Sequence, residues 1–285
     1  MLEIDGRRLL MEIPGRWRLR SDSARPLAPG DMVAVKQEAD ELRLTEPLPR
    51  LNEFTRCLPG SKRRIPQTMA ANIDQVMIFA SAVAPETPNG LIDRLLVTAA
   101  LGDVPAVLLV NKTDLATDER LEYLRKTYKN AVGNLYFSSA LSGEGLASIE
   151  QHITRKVTLF AGSSGVGKST IANCFDPKLN LKTGSISDYS NKGRHITSTG
   201  ELHRLSRGGW IVDTPGLREC APWNMTKERL RWCFKEFHAA ADDCHFRDCL
   251  HHHETGCAVK ALVGTPGLPG DRYTSYLKLL DEALD

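Results

Sequence analysis

No apolar run in this chain is long enough to cross a bilayer. The longest, such as Val107–Val110, are strand-sized, and Met1-Leu2-Glu3-Ile4-Asp5-Gly6-Arg7-Arg8 lacks the apolar core of an export signal. A soluble, cytoplasmic chain with no membrane partner is expected. An excess of one charge is also lacking. Lys plus Arg number 37 and Asp plus Glu 35, so no overall field draws in nucleic acid or lipid, and any basic surface must be local. Internal repeats and low-complexity tracts are missing, which excludes solenoids and disordered arrays. A disulfide framework is missing too. The 7 cysteines are odd in number, and Cys57, Cys174, Cys220 and Cys233 are scattered. Cys244, Cys249 and Cys257 instead crowd beside several histidines, a density that favours a metal over disulfides.

What is present is a change of pattern along 285 residues. Residues 1–57 hold short alternating segments, such as Arg16-Trp17-Arg18-Leu19-Arg20 and Met32-Val33-Ala34-Val35, separated by Pro and Gly; they predict a small β domain. A basic linker, Pro59 to Pro66, precedes strand-sized apolar runs at Val76–Ala80, Val107–Val110, Leu135–Phe137, Val157–Ala161 and Trp210–Val212. Helical stretches lie between these runs, so residues 58–221 predict an α/β domain with a parallel sheet buried on both faces. From residue 222 the apolar runs stop. Lys227–Ala241 reads as helix, Tyr273, Tyr276, Leu277 and Leu280 recur at helical spacing, and residues 222–285 are expected to form a mainly helical domain with little apolar core.

The sequence Gly162-Ser163-Ser164-Gly165-Val166-Gly167-Lys168-Ser169, followed by Thr170, lies between the Val157–Ala161 run and a predicted helix, which is the setting a phosphate loop requires. Its glycines let backbone N–H groups converge on phosphates, Lys168 supplies a point charge, and Ser169 offers a hydroxyl to Mg²⁺. Asp213-Thr214-Pro215-Gly216 ends the Trp210–Val212 run, as a metal-supporting Asp and a γ-phosphate-sensing Gly do in phosphate-loop hydrolases.

Asn111-Lys112-Thr113-Asp114 closes another run and resembles the base-reading element of GTPases. The Asp114 carboxylate accepts from both the ring N–H and the amino group of guanine. Adenine would leave those lone pairs unmatched, at a cost of roughly 1–3 kcal/mol or more. Asn111 is expected to tie neighbouring loops together, the Lys112 stem to cover a face of the base, and Ser139-Ala140 to bring backbone N–H groups near the guanine oxygen. GTP and GDP are therefore the expected ligands, with Mg²⁺.

A third constellation, Cys244, Cys249, His251 and Cys257, has the spacing C-x4-C-x-H-x5-C and suits one structural Zn²⁺, with His252 and His253 as rival ligands. A DNA-reading zinc finger is disfavoured, because no recognition helix accompanies the cluster.

In ordinary GTPases the phosphate loop precedes the base-reading loops. Here Asn111–Asp114 and Ser139-Ala140 come first, then Gly162–Ser169, then Asp213–Gly216. A sheet fixes spatial neighbours and not chain order, so the order is that of a circular permutation joined through a predicted helix at Glu144–Lys156. With Ala70-Ala71-Asn72-Ile73-Asp74-Gln75, Gly193-Arg194-His195 and Glu254-Thr255-Gly256-Cys257-Ala258-Val259, the chain resembles the circularly permuted ribosome-biogenesis GTPases of the bacterial RsgA (YjeQ) family. The resemblance implies an N-terminal OB-like β-barrel, a central phosphate-loop GTPase domain and a C-terminal zinc domain. It selects His251 as the fourth zinc ligand, and implies GTP hydrolysis in late maturation of the small ribosomal subunit. Its partners are then that subunit and its rRNA, with the protein itself expected to be a monomer.

Where the family commonly carries a run of Thr after the His, this chain reads Ile196-Thr197-Ser198, leaving Thr197 for Mg²⁺ and the γ-phosphate. The position after Asp213–Gly216 is Leu217, which cannot orient water, so His195 becomes the candidate for that task beside Lys168 and Thr197. Arg16, Arg18 and Arg20 would share one face of a strand, and the resemblance directs that basic face to rRNA. The alternative is a GTP-gated ribosome-binding module in which hydrolysis is incidental.

Overall fold

Five of the predicted apolar runs become neighbours in one sheet. In a computed structural model, β7 (Gln75–Ser81), β8 (Ala106–Asn111), β9 (Asn134–Phe137), β10 (Val157–Ala161), β11 (Glu201–Arg204) and β12 (Trp210–Asp213) are ordered β11-β12-β10-β7-β8-β9. The structure describes residues 2–4, 7–9, 11–15, 17, 26–38, 41–60, 64–182, 200–214 and 220–285. Central β7 is buried at every position, as a strand covered on both faces must be. Its covering helices include α1 (Asn89–Leu101), α2 (Asp118–Tyr128), α3 (Leu146–Ile153) and α4 (Lys168–Phe175).

The sheet is mixed, which corrects the expectation of a purely parallel one: β11 runs antiparallel to β12 at the edge. Glu201-Leu202-His203-Arg204 carries no apolar run because an edge strand needs only one partner and keeps its ends in water.

Three antiparallel hairpins precede the sheet: β1 (Leu2–Ile4) with β2 (Arg7–Leu9), β3 (Val33–Glu38) with β4 (Glu41–Pro47), and β5 (Glu53–Cys57) with β6 (Pro66–Ala71). Among the described residues these remain two-stranded ladders. Trp17 is the one described residue of the alternating 16–20 segment, and it is helical, its N–H reaching Pro14 O at 2.9 Å. Arg16, Arg18 and Arg20 lie outside the described residues, as do Lys62 and Arg63. The expected boundary at 57/58 falls in the β5–β6 hairpin connection, so the hairpin straddles it.

The C-terminal segment departs from expectation twice. Lys227–Ala241 is broken into α5 (Lys227–Leu230) and α6 (Lys235–Ala241), because Phe234 is extended, with φ −99° and ψ 102°. The break lets Phe234 and Phe237 turn inward together, their rings 5.2 Å apart and each edge-on to Tyr276. Nor is the core poor. Leu230, Phe234, Phe237, Leu268, Tyr276, Leu279 and Leu280 form a buried cluster that takes in Val97 of α1. These residues escape a search for apolar runs because helices distribute them at intervals of three and four.

A buried ion triad fastens this unit to the central domain. Arg272, 2% exposed on α7 (Gly270–Glu282), bonds Glu236 Oε1 at 2.6 Å and also Asp93 of α1, with its guanidinium 4.5 Å from the Phe234 ring centre. Removing one member leaves uncompensated charge in a dry interior. Arg272→Ala is expected to cost about 3–5 kcal/mol in urea unfolding, with Arg272→Lys a poor rescue because an ammonium cannot span both carboxylates. A loss below about 1 kcal/mol would contradict this reading of the triad.

A candidate nucleotide site and a candidate metal centre

The phosphate loop leaves the carboxyl end of β10 and enters α4, at the sheet edge where open α/β folds bind ligands. Two glycines have no substitute there. Gly162 has φ +146°, and a Cβ would sit 2.5 Å from Phe79 O; at Gly167, φ +99°, it would sit 2.2 Å from Asn111 Nδ2. Val166 is buried and turns its carbonyl to Asn111, while Ser163, Ser164 and Ser169 are half-buried and Gly165 and Thr170 exposed.

Asn111 joins the loops. Its Nδ2 donates to Val166 O at 2.8 Å, and its Oδ1 accepts from Ala140 N–H at 3.1 Å and from the Ser138 hydroxyl at 3.4 Å. One side chain at the end of β8 thus holds the phosphate loop and the Ser139-Ala140 segment. Lys112 adopts φ +64° and donates to Ala84 O at 2.6 Å, and Asp114 stands exposed in the turn Thr113–Leu115. The two N–H groups expected to face the guanine oxygen are engaged within the protein: Ser139 N–H with Glu144 O and Ala140 N–H with Asn111 Oδ1, both at 3.1 Å.

Lys168 curls over its own loop, its Nζ donating to Gly162 O and Ser163 O at 2.9 Å each. Burial pulls this ammonium down to about 8, against the opposing pull of Asp213. Asp213 ends β12 in register with Phe160, and burial raises its carboxyl while Lys168 lowers it. Its Oδ1 is buried with no hydrogen-bond partner, an anionic oxygen suited to a cation. Asp213 and the half-buried Ser169 therefore fit Mg²⁺, which would supply charge neutralisation to phosphate oxygens. His195, Thr197, Gly216 and Leu217 lie outside the described residues.

In the C-terminal unit, Cys244, Cys249, His251 and Cys257 place their ligand atoms within 4.8 Å of one another. Tetrahedral zinc, with its ordinary bond lengths, separates two sulfurs by about 3.8 Å and a sulfur from a nitrogen by about 3.6 Å. Here Cys244 and Cys257 Sγ are 3.9 Å apart, and His251 Nδ1 lies 3.6 and 3.4 Å from them. The donor set fits zinc. The rivals His252 and His253 are not in the cluster; their rings contact each other at a tilt of 32°, with centres 3.5 Å apart. Glu254, which spacing did not single out, clamps the ligand loop by accepting Leu250 N–H at 2.7 Å and His252 N–H at 2.8 Å. Tyr273 OH donates to His251 O at 2.8 Å. An acid directly after a run of histidines was the available signal for Glu254.

The family model for the RsgA GTPase matches residues 48–223. The chain belongs to the RsgA GTPase family. The small ribosomal subunit biogenesis GTPase RsgA of Gemmatimonas aurantiaca is 36% identical over 98% of this chain and 92% of its own length. That of Phocaeicola vulgatus is 35% identical over 98% and 91%. Among solved structures, YjeQ from Thermotoga maritima matches with a TM-score of 0.72 at 29% identity, covering 94% of this chain and 87% of that one. YloQ, described as a circularly permuted GTPase, gives 0.68 at 30%, covering 93% and 83%. The central domain of this RsgA family member is accordingly a circularly permuted GTPase fold, and the chain is a GTP hydrolase. No described helix is long and apolar enough to cross a membrane.

Proposed function

We propose that this chain hydrolyses GTP as a late-stage maturation factor of the small ribosomal subunit, and that the subunit stimulates the hydrolysis. The observation that carries the reading is Asn111, one side chain bonded to both the phosphate loop and the base loop, which come from separate stretches of a permuted chain. The names of the curated relatives supply the ribosomal context.

In this reading Gly162–Ser169, Thr170, Asp213 and Gly216 hold the phosphates, Asn111, Lys112, Asp114, Ser139 and Ala140 hold guanosine, and Ser169 and Thr197 bind Mg²⁺. Lys168 withdraws charge from the β and γ phosphates while His195 aligns water for attack on the γ-phosphorus, giving GDP and phosphate. Support for His195 and Thr197 comes from their position in the chain, a few residues before β11, whose first residue Glu201 pairs with Asp213. Residues 1–57 form the OB-like domain, 58–221 the GTPase domain and 222–285 the zinc domain. The first, through Arg16, Arg18 and Arg20, meets rRNA, and the protein acts as a cytoplasmic monomer.

GTP turnover measured with and without purified small subunits tests the proposal. Stimulation by about two orders of magnitude or more is expected, with His195→Ala losing turnover and keeping GTP affinity. Binding to subunits without acceleration would instead identify a GTP-gated docking module, an outcome that the apolar Leu217 makes worth separating.

A further inference from the structure

Three consecutive histidines, His251, His252 and His253, stand between Cys249 and Cys257, and spacing alone lets any of them reach a metal there. The structure brings in one. His251 is 2% exposed, with its Nδ1 3.6 and 3.4 Å from the sulfurs of Cys244 and Cys257, whereas His252 is half-buried, His253 is exposed, and neither belongs to the cluster.

The backbone makes the choice. His251 has φ +56°, a left-handed conformation that a residue with a Cβ keeps only when its surroundings impose it. N–H groups around such a turn converge on an anion, and the Glu254 carboxylate is that anion: Oε1 accepts from Leu250 N–H at 2.7 Å and Oε2 from His252 N–H at 2.8 Å. His251 N–H donates to Cys249 Sγ at 3.4 Å, and the carbonyls of Leu250 and His251 accept from the hydroxyls of Tyr276 and Tyr273. Both polar atoms of both peptide groups flanking His251 are thus engaged. A slip of the chain by one residue would break both bonds to Glu254.

We propose that Glu254 is the residue that selects the metal ligand: by holding Leu250 and His252 on either side, it keeps the His251 imidazole in the cluster and His252 and His253 out of it. This rests on the zinc reading above and adds to it a rule for choosing among identical donors. Three imidazoles are alike as ligands, so the preference is one of chain register, and it goes when the clamp goes.

Zinc affinity of the full chain, measured by competition with a chromophoric chelator, tests this in a double-mutant cycle of Glu254→Ala and His251→Ala. Glu254→Ala is expected to weaken zinc about 10–100-fold, as loss of a group that orients a metal ligand does, and Glu254→Gln, which keeps one acceptor oxygen, by less. With Glu254 in place, His251→Ala should weaken zinc more than Glu254→Ala does. In the Glu254→Ala background the same change should cost no more than about threefold, because His252 or His253 takes its place. Adding His252→Ala and His253→Ala to Glu254→Ala should restore the full dependence on His251. Glu254→Gln carries the same cycle should Glu254→Ala fail to fold. NMR of the cadmium-loaded chain reads the ligand directly: metal coupling is expected at the His251 imidazole alone in wild type, and at a second histidine in Glu254→Ala. Additive costs in the cycle, unchanged zinc affinity in Glu254→Ala, or coupling that stays at His251 alone overturns the proposal. A wild type that binds no zinc would overturn the metal reading itself, a separate result.

Discussion

Chelating the metal of the Cys244–Cys257 cluster is expected to produce the largest stability loss available in this protein. A structural zinc contributes roughly 10–16 kcal/mol of apparent free energy at neutral pH in small domains, where binding and folding are one event. Here the ligand loop sits directly on the core. The His251 ring is edge-on to Phe237 at 5.3 Å, and Phe237 packs against Tyr276 at 4.8 Å. Three sulfurs and an imidazole nitrogen lie within 4.8 Å of one another, a donor set that a metal ion deprotonates and holds together. The expected result is one zinc per chain and a fall of at least about 10 °C in the melting of residues 222–285 on adding a strong chelator. Cys249→Ser should reproduce it. His252→Ala and His253→Ala should leave zinc content and melting unchanged. A protein that purifies without metal and melts the same with chelator would remove the zinc reading. The core of Phe234, Phe237 and Tyr276 explains why collapse should stop short of the sheet: the segment retains packing of its own and the Arg272 anchor to α1.

What could be read in advance follows from how locally each feature is encoded. Val157–Ala161, Val107–Val110 and the other buried runs are contiguous, and each became a strand within a residue or two of its expected bounds. Gly162, Gly167 and Lys168 belong to a motif whose spacing is set by backbone geometry, so the loop was legible residue by residue. The edge strand β11 was not, because one-sided pairing leaves no apolar signature in Glu201–Arg204. Arg272 was not either: it sits 179 positions from Asp93 and 36 from Glu236, and nothing in a helix of mixed character marks which charge will be buried. The bond from Ala140 N–H to Asn111 Oδ1 was not legible either, because it joins loops 29 positions apart in the chain.

Replacing Lys168 with Met is expected to lower kcat by about 10²–10³-fold or more, since it deletes a preorganised positive charge where negative charge develops. The same change should make the free protein more stable. At 7% exposure the ammonium is held in a dry loop against two carbonyls, and burial drags its titration to about 8 from 10.5. Between those two values the unfolded chain carries a proton that the folded chain has released. Wild-type stability therefore rises with pH across that window, and the cost is fully present below pH 8. Bound phosphates reverse the balance by favouring the charged form, so above pH 8 nucleotide binding must take up a proton, and affinity should fall by up to tenfold per pH unit. Calorimetry in buffers of different ionisation enthalpy reads that uptake directly, and Lys168→Met should abolish it. Hydrolysis by Lys168→Met within about tenfold of wild type, or proton uptake that survives the substitution, would show that the charge acting on the phosphates comes from another residue.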